Sequence, residues 1–231
     1  MTVEKFLRTE QKYYLSEVQY KLLMANIKDR IKKDKFYHEK ICNVYFDTIN
    51  NDLIINSLNK PIYKEKVRLR SYNVPNANDL VFLELKKKFD GIVYKRRITL
   101  LNSEAILYIN EGIMPSNNNQ IMQEIDYIFK TYKLMPKLSL TYDRLAYVSI
   151  DDESFRITFD YNIKSSTKIL KLDELKNEEN LTGNNYIMEI KTDKSIPFWL
   201  LKAITEYRIY PKSYSKYGEV YQKIKERVIN V

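Results

Sequence analysis

Eight stretches of this chain alternate apolar and polar residues, with β-branched and aromatic side chains at the apolar positions. A period of two residues is typical of a strand with one buried face. Asp90-Gly91 lies between two of these stretches and Asp151-Asp152 between another two, so each pair is predicted to form a β-hairpin. The predicted strands cover residues 6–15, 41–48, 65–73, 80–88, 92–100, 138–150, 154–163 and 185–192.

Between the strands, apolar residues recur at the three- and four-residue spacing of amphipathic helices. Ser16 and Gln19 match a capping box, which predicts a helix that starts there and runs to residue 34. The apolar face of this helix is predicted at Val18, Leu22, Ala25 and Ile31. The other predicted helices cover residues 102–112, 120–132, 195–204 and 217–228.

The chain has 231 residues and contains no long Pro/Gly/Ser linker, no low-complexity tract and no internal repeat. A chain of this length can bury a large core in one domain. We therefore predict a single domain, residues 1–231, of the α+β class. Cys42 lies in an apolar run and is predicted to be a core residue rather than a reactive thiol.

Charged residues occupy every second position within several predicted strands, so they share one face of each strand. For any single strand, the simplest explanation is the solvent-exposed face of an antiparallel sheet. Taken together the faces are rich in Arg, which suits the recognition of oxyanions, and they hold isolated carboxylates among the cations. The positions are Arg8, Glu10 and Lys12; Lys66, Arg68 and Arg70; Glu84, Lys86 and Lys88; Lys95 and Arg97; Arg156, Thr158 and Asp160; and Glu189 and Lys191.

The apolar helices must pack on a surface, and the apolar faces of the strands are the available one. If the eight strands close into an antiparallel barrel with the helices outside, the charged faces line its interior. Buried cations in such an interior need an anionic ligand, and an elongated chain of phosphoryl groups would satisfy them. The isolated carboxylates would then hold a divalent cation that bridges phosphate oxygens. The sequence thus predicts a barrel that encloses a triphosphate.

Composition excludes several other kinds of site. The balance of 39 basic and 30 acidic residues gives a net charge of +9, which favours an anionic partner. One His and one Cys rule out a Cys/His zinc site and an internal disulfide. The four Gly form neither a dinucleotide-binding fingerprint nor a phosphate-binding loop, and no apolar stretch reaches the length of a membrane span or a signal peptide.

The order of short motifs along the chain resembles the triphosphate tunnel metalloenzymes, a CYTH-like superfamily, and within them the polyphosphate polymerase (VTC) domain. Each motif alone is weak, but the set spans nearly the whole chain. The matching segments are Arg8-Thr9-Glu10-Gln11-Lys12-Tyr13, Val44-Tyr45-Phe46-Asp47-Thr48, Val67-Arg68-Leu69-Arg70-Ser71-Tyr72, Leu83-Glu84-Leu85-Lys86, Tyr142-Asp143-Arg144-Leu145-Ala146, Arg156-Ile157-Thr158-Phe159-Asp160, Met188-Glu189-Ile190-Lys191 and Ser213-Tyr214-Ser215-Lys216-Tyr217.

The resemblance implies roles for individual residues. Glu189 would be the principal metal ligand, with Mn²⁺ or Mg²⁺ as the cofactor. Ser215 would donate a hydrogen bond, and Tyr142 would contact either the nucleotide base or the phosphates. Glu10 and Glu84 would either bind metal or hold an Arg or Lys in place. The catalytic cations would be Lys12, Arg68, Arg70, Lys86, Arg144 and Lys216, with Lys95, Arg97 and Lys191 as further substrate contacts.

The implied reaction is transfer of the γ-phosphoryl group of ATP to a growing polyphosphate chain, with release of ADP. Such transfer needs positioning and charge neutralisation rather than a protein nucleophile. Two alternatives remain: hydrolysis of inorganic or nucleotide triphosphate, and binding of polyphosphate without catalysis. The expected partners are ATP and polyphosphate, without nucleic acid. The expected location is the cytoplasm, with attachment to the inner face of a membrane only through a separate membrane protein.

Overall fold

The computed structural model of the protein describes residues 9–173, 175, 178 and 180–229. Within this range the chain forms eight strands and six helices. The strands are β1 (Thr9–Leu15), β2 (Ile31–Asp47), β3 (Tyr63–Tyr72), β4 (Leu80–Phe89), β5 (Ile92–Leu101), β6 (Met135–Ser149), β7 (Arg156–Ser166) and β8 (Tyr186–Thr192). The helices are α1 (Glu17–Ile27), α2 (Asp52–Leu58), α3 (Asn102–Glu111), α4 (Gln120–Tyr132), α5 (Phe198–Glu206) and α6 (Lys216–Ile229).

The strands belong to one antiparallel sheet with the order β1-β8-β7-β6-β2-β3-β4-β5, which confirms the predicted α+β fold. The predicted closed barrel is wrong for the described strands, because the order ends at β1 and β5 and these two do not pair. The outer edge of β1 is occupied by other residues: Tyr13 bridges Pro211, and the Lys212 amide donates to the Lys12 carbonyl at 2.8 Å. An edge that is already hydrogen-bonded cannot pair with a further strand at those residues.

The chain packs as two compact units, and strands β2, β6 and β7 contribute to both. The first unit contains residues 9–39, 142–163 and 180–214. The predicted capping box starts α1, since Ser16 Oγ accepts from the Gln19 amide at 3.1 Å and Gln19 Oε1 accepts from the Ser16 amide at 2.9 Å. Helices α1 and α5 cover the apolar faces of β1, β7 and β8. The buried contacts include Tyr13, Leu23, Ile27, Phe159, Met188, Leu200 and Ala203.

The second unit contains residues 40–141, the described part of 164–179, and 215–229. Helices α3 and α4 cover the apolar faces of β3, β4 and β5. Cys42 is buried in this core, as predicted. The remaining core contacts include Val67, Leu69, Leu83, Leu85, Ile98, Ala105, Met122 and Ile125. The single-domain boundary of 1–231 stays a prediction.

Three local predictions differ from the structure. Helix α1 ends at Ile27, and residues 31–39 begin the long strand β2 instead of extending the helix, because pairing within the sheet outweighs local helical preference. The buried face of α1 is formed by Leu23 and Ile27, whereas Val18 and Leu22 are exposed. Helix α2 is present in the structure but was not predicted from the sequence. Residues 6–8 of the first predicted strand, including Arg8, lie outside the described residues.

No helix of the described chain is long and apolar enough to span a membrane.

Candidate functional site

The charged face of the first unit is built by cross-strand neighbours on β1, β8 and β7. Lys12 on β1 pairs with Glu189 on β8, and Glu189 pairs with Thr158 on β7. Two residues away along each strand, Glu10 pairs with Lys191, and Lys191 pairs with Arg156. Because alternate residues of a strand share a face, these two rows lie on the same side of the sheet. The sequence alternation therefore gathers these side chains as predicted.

Glu189 is the most buried carboxylate of these two rows, and cations surround it. Its Oε1 lies 2.6 Å from Lys191 Nζ, and its Oε2 lies 3.7 Å from Lys12 Nζ. Burial alone would raise the pKa of Glu189, but Lys191, Lys12 and Arg144 outweigh it and hold the pKa well below its usual range. Lys12 also lies 3.2 Å from Glu10. Glu189 is therefore ionised and is a weak base.

Arg144 on β6 is fixed by a bidentate ion pair. Its Nε donates to Asp160 Oδ1 at 2.6 Å and its Nη2 donates to Asp160 Oδ2 at 2.8 Å, while Asp160 is fully buried. The guanidinium also lies over the ring of Tyr142, 5.4 Å from its centre. Burial lowers the pKa of Arg144, but Asp160, Tyr142 and Glu189 more than compensate and raise it. The pair gives Arg144 a defined orientation and a permanent charge.

The charged face of the second unit follows the same construction on β2, β3, β4 and β5. Tyr45, Arg68, Glu84 and Arg97 are successive cross-strand neighbours in one row. A second row contains Lys66, Lys86 and Lys95, and a third contains Asn43, Arg70 and Phe82. All three rows lie on the side of the sheet opposite the core residues Val67 and Leu69.

Glu84 is buried at the centre of this second face and binds three cations. Its Oε2 accepts from Arg68 Nε at 2.7 Å, and its Oε1 accepts from Arg97 Nε at 2.6 Å. Lys95 Nζ lies 2.8 Å from the same Oε1. Burial alone would raise the pKa of Glu84, but the cations, Arg68 first among them, lower it far below its usual range. Glu84 therefore holds cations in position in this structure.

Two further cations of the second face, Arg70 and Lys66, donate hydrogen bonds to neutral groups. Arg70 Nε donates to Asn43 Oδ1 at 2.9 Å, and Arg70 is almost fully buried. Lys66 Nζ donates to Ser215 Oγ at 2.9 Å. Ser215 precedes α6, and its Oγ accepts from the Gly218 amide at 3.2 Å. Lys216 is the first residue of α6. These hydrogen bonds help to orient Arg70 and Lys66.

The predicted site residues therefore fall into two groups, one on each unit, and their roles stay predictions. The structure adds residues that the sequence analysis did not assign to the site. Lys66 and Asp160 follow the alternating pattern of the charged strand faces, whereas Asn43 and Tyr45 lie on β2, which carries none of the predicted site residues. The first group is Glu10, Lys12, Tyr142, Arg144, Glu189 and Lys191; the second is Arg68, Arg70, Glu84, Lys86, Lys95, Arg97, Ser215 and Lys216; the additions are Asn43, Tyr45, Lys66 and Asp160.

The residues around Glu189 fit a divalent cation that is shared with substrate oxygens. Among the described residues, no group of three or more His, Cys, Asp or Glu side chains could enclose a metal by itself. Mg²⁺ is commonly held by one or two carboxylates together with phosphate oxygens. Thr158, the cross-strand neighbour of Glu189, has a buried Oγ1 without a hydrogen-bond partner in the described structure. Glu189 and Thr158 thus offer two hard oxygen donors side by side.

Comparison with solved structures identifies the fold. A candidate adenylate cyclase from Bacillus halodurans superposes with a TM-score of 0.56 at 16% identity, covering 89% of this chain and 92% of that one. A candidate adenylyl cyclase from Hippeastrum, described as having a dominant triphosphatase activity, superposes with a TM-score of 0.52 at 15% identity. That match covers 92% of this chain and 94% of the other. At these identities the likeness shows a shared fold.

Comparison with protein families identifies the relationship. No curated protein sequence matches the chain. The profile of the VTC domain family matches residues 7–225, which is nearly the whole length and includes both charged faces. This match agrees with the order of short motifs from the first strand to α6. The chain belongs to the VTC domain family.

Proposed function

We propose that this protein is an ATP-dependent polyphosphate polymerase that transfers the γ-phosphoryl group of ATP to the end of a polyphosphate chain. Membership of the VTC domain family supports a substrate made of linked phosphoryl groups. The observation that carries the choice of reaction is the state of the two buried carboxylates. Glu84 and Glu189 are both surrounded by cations that depress the pKa.

A carboxylate with a depressed pKa is a poor general base. Hydrolysis needs a water molecule to lose a proton as it attacks phosphorus, so it gains little from Glu84 or Glu189. The end of a polyphosphate chain is different, because its attacking oxygen is already anionic and has no proton to lose. That oxygen forms a bond to the γ-phosphorus, the bond to the bridging oxygen breaks, and ADP leaves with the electron pair. The arrangement therefore favours transfer to phosphate over transfer to water.

On each face, the cations would bind and orient phosphoryl oxygens. Arg68 and Arg97 present guanidinium groups whose position Glu84 fixes, and Arg144 presents one that Asp160 fixes. Fixed donors stabilise developing charge without reorganising during the reaction. Lys12, Lys86 and Lys216 contribute further positive charge. Ser215 provides a hydroxyl beside Lys66.

Mn²⁺ or Mg²⁺ would be held by Glu189 and Thr158 together with phosphate oxygens, and when bound it would neutralise negative charge on the transferred group. Lys12 would then orient the phosphates near it, and Glu10, which pairs with Lys12, would hold that lysine in place. A separate membrane protein as partner stays a prediction.

The direct test is incubation of the purified protein with ATP and Mn²⁺. We expect ADP together with long chains that a polyphosphatase degrades. Release of free phosphate without chains would favour hydrolysis instead. Tight binding of polyphosphate without turnover would favour a binding protein, and either result would contradict the proposed polymerase.

Hydrolysis of triphosphate is the second candidate, and Glu10 favours it. The Glu10 side chain is partly exposed, and Lys12 is its one ion-pair partner among the described residues. Such a carboxylate is better suited than Glu84 or Glu189 to take a proton from water. If hydrolysis is the reaction, Glu10→Gln will abolish phosphate release from tripolyphosphate. If polymerisation is the reaction, the same variant will still make chains.

The arginines of the second face are expected to contribute most of its affinity for phosphate. Arg68→Ala and Arg70→Ala should each weaken tripolyphosphate binding by about 1.5–3 kcal/mol, the range for a hydrogen bond to a charged group. Isothermal titration calorimetry gives the dissociation constants. Arg96→Ala is the matched control, because Arg96 lies on the opposite side of β5 and contacts Glu124. An unchanged dissociation constant in both variants would put Arg68 and Arg70 outside the binding site.

A further inference from the structure

Tyr45 lies in the second charged face next to the arginine that Glu84 holds. It is the cross-strand neighbour of Arg68, and Arg68 Nη1 donates to its hydroxyl at 3.4 Å. The side chain is buried. Since Arg68 Nε binds Glu84, the guanidinium is held at one end by a carboxylate and at the other by a phenol. The Tyr45 hydroxyl therefore helps to determine where the guanidinium of Arg68 points.

The ring of Tyr45 also contacts α6. Its centre lies 5.0 Å from the ring centre of Tyr217, which directly follows Lys216. The Tyr217 hydroxyl donates to the buried carboxylate of Asp47 at 3.0 Å. Asp47 accepts in addition from the backbone amide of Thr48 and from the amides of Leu53 and Ile54 in the first turn of α2. Tyr45 thus connects the arginines of β3 with the helix that carries Lys216.

The charged groups that act on Tyr45 are mostly positive. Burial raises the pKa of Tyr45, but Arg68, Arg70 and Lys216 outweigh it and lower the pKa to about 8. The carboxylates of the residues that contact the partners of Tyr45 are engaged: Glu84 binds Arg68, Arg97 and Lys95, and Asp47 accepts from backbone amides and Tyr217.

We propose that Tyr45 is a positioning residue for phosphate binding: as a neutral phenol it orients Arg68, and as a phenolate it pairs with Arg68 and competes with phosphate. This inference rests on the proposed function, because it takes Arg68 to be a phosphate-binding residue. Arg68 and the cations around it attract both the phenolate of Tyr45 and the phosphate chain. A phosphate chain bound to the second charged face favours the neutral phenol of Tyr45, because a phenolate beside the chain would be repelled by its negative charge. A phenolate in turn disfavours the phosphate chain.

Proton binding and phosphate binding are therefore linked. Binding of a polyanion raises the pKa of Tyr45 from its value in the free protein, so the complex takes up a proton above about pH 8. Affinity for tripolyphosphate is expected to fall as pH rises through this range. The fall can approach about tenfold per pH unit, which is the limit for one linked proton.

The experiment compares tripolyphosphate binding by the full chain and by Tyr45→Phe across this pH range, using calorimetry. Ionisation of the ligand affects both proteins equally, so the difference between them isolates Tyr45. We expect the affinity of the unaltered protein to fall about fivefold or more from neutral to alkaline pH relative to Tyr45→Phe. Tyr94→Phe is the matched control, because Tyr94 is exposed and lies on the opposite side of the sheet. The Tyr94→Phe variant should keep the full pH dependence of tripolyphosphate affinity.

A spectroscopic titration tests the same inference without a substitution. Ultraviolet absorbance of tyrosinate in the unaltered protein should show the ionisation of one of its 20 tyrosines near pH 8. Saturating tripolyphosphate should move this step to higher pH. An identical pH dependence in Tyr45→Phe, or an absorbance step that the ligand leaves in place, would overturn the role of Tyr45 alone. Absence of tripolyphosphate binding at every pH would instead overturn the proposed function and this inference with it.

Discussion

Glu189→Gln is expected to abolish metal-dependent chain synthesis, with a loss of at least about 100-fold in turnover, the scale of removing one electrostatic group from a reaction site. The substitution keeps the shape of the side chain but removes its charge. Without that charge, the pair of oxygen donors at Glu189 and Thr158 holds a divalent cation weakly. Lys12 and Lys191 also lose their shared partner. The measurement is ADP and polyphosphate production over a range of Mn²⁺ concentrations.

The control for Glu189→Gln is Glu153→Gln, the same chemical change at an exposed carboxylate of the same unit. Glu153 pairs with Lys32 on the surface, and such pairs contribute little to stability. This variant should keep full turnover. Circular dichroism and thermal unfolding show whether Glu189→Gln still folds. Full activity in a folded Glu189→Gln protein would contradict the metal assignment.

Glu84→Gln is expected to lower the free energy of unfolding at neutral pH by about 3 kcal/mol, the low end of the cost of breaking a buried ion pair. Three cations lose the carboxylate that compensates them, and they then repel one another. Denaturant unfolding of both proteins gives the difference. Glu124→Gln is the matched control. Glu124 also contacts two cations, Lys87 and Arg96, but it is more exposed, so its loss should cost less than about 1 kcal/mol.

The cost of Glu84→Gln depends on pH in a defined direction. The pKa of Glu84 is lower in the folded protein than in the unfolded chain, where it is about 4.3. The carboxylate therefore stabilises the fold fully above that value and loses its effect as pH falls below it. The difference in the free energy of unfolding between the unaltered protein and Glu84→Gln should be constant around neutral pH and should become smaller in acid. A difference that stays the same down to acid pH would contradict this account.

A polyanion should compensate for the missing carboxylate of Glu84. In Glu84→Gln the unpaired cations offer a stronger field to a phosphate chain, so tripolyphosphate should raise the melting temperature of the variant more than that of the unaltered protein. An equal or smaller rise would indicate that Arg68, Lys95 and Arg97 do not bind the ligand. Weaker Mn²⁺ binding in this variant would point instead to Glu84 as a metal ligand.

Much of the charged face could be predicted because its signal is local. A strand places alternate residues on one face, so Lys66, Arg68 and Arg70 must lie together wherever the strand goes. The capping box at Ser16 and the span of α4 were predictable for the same reason, since both depend on neighbours within a few residues. The family match over residues 7–225 agrees with the resemblance drawn from the motifs.

The rest depends on contacts between distant parts of the chain. Residues 31–34 were predicted to be the end of a helix, and sheet pairing makes them the start of strand β2. Barrel closure depends on the outer edges of β1 and β5, and the bridge from Tyr13 to Pro211 was not foreseeable from periodicity. The role of Glu84 follows from three partners on two other strands. In the sequence Tyr45 is an ordinary strand residue, and only its contacts with β3 and α6 indicate a role in the charged face.

The contact between Asp47 and Tyr217 has a consequence for how the protein is made. These residues are 170 positions apart, yet the pair fixes α6, with Lys216 and Ser215, to the second unit. Contacts of such long sequence separation form late and slow the folding of a chain. During synthesis, β3 and its arginines leave the ribosome well before α6 exists. A nascent chain therefore displays Arg68 and Arg70 without the helix that completes their surroundings, and if these arginines bind phosphate as proposed, a phosphate chain could bind this incomplete face before folding ends.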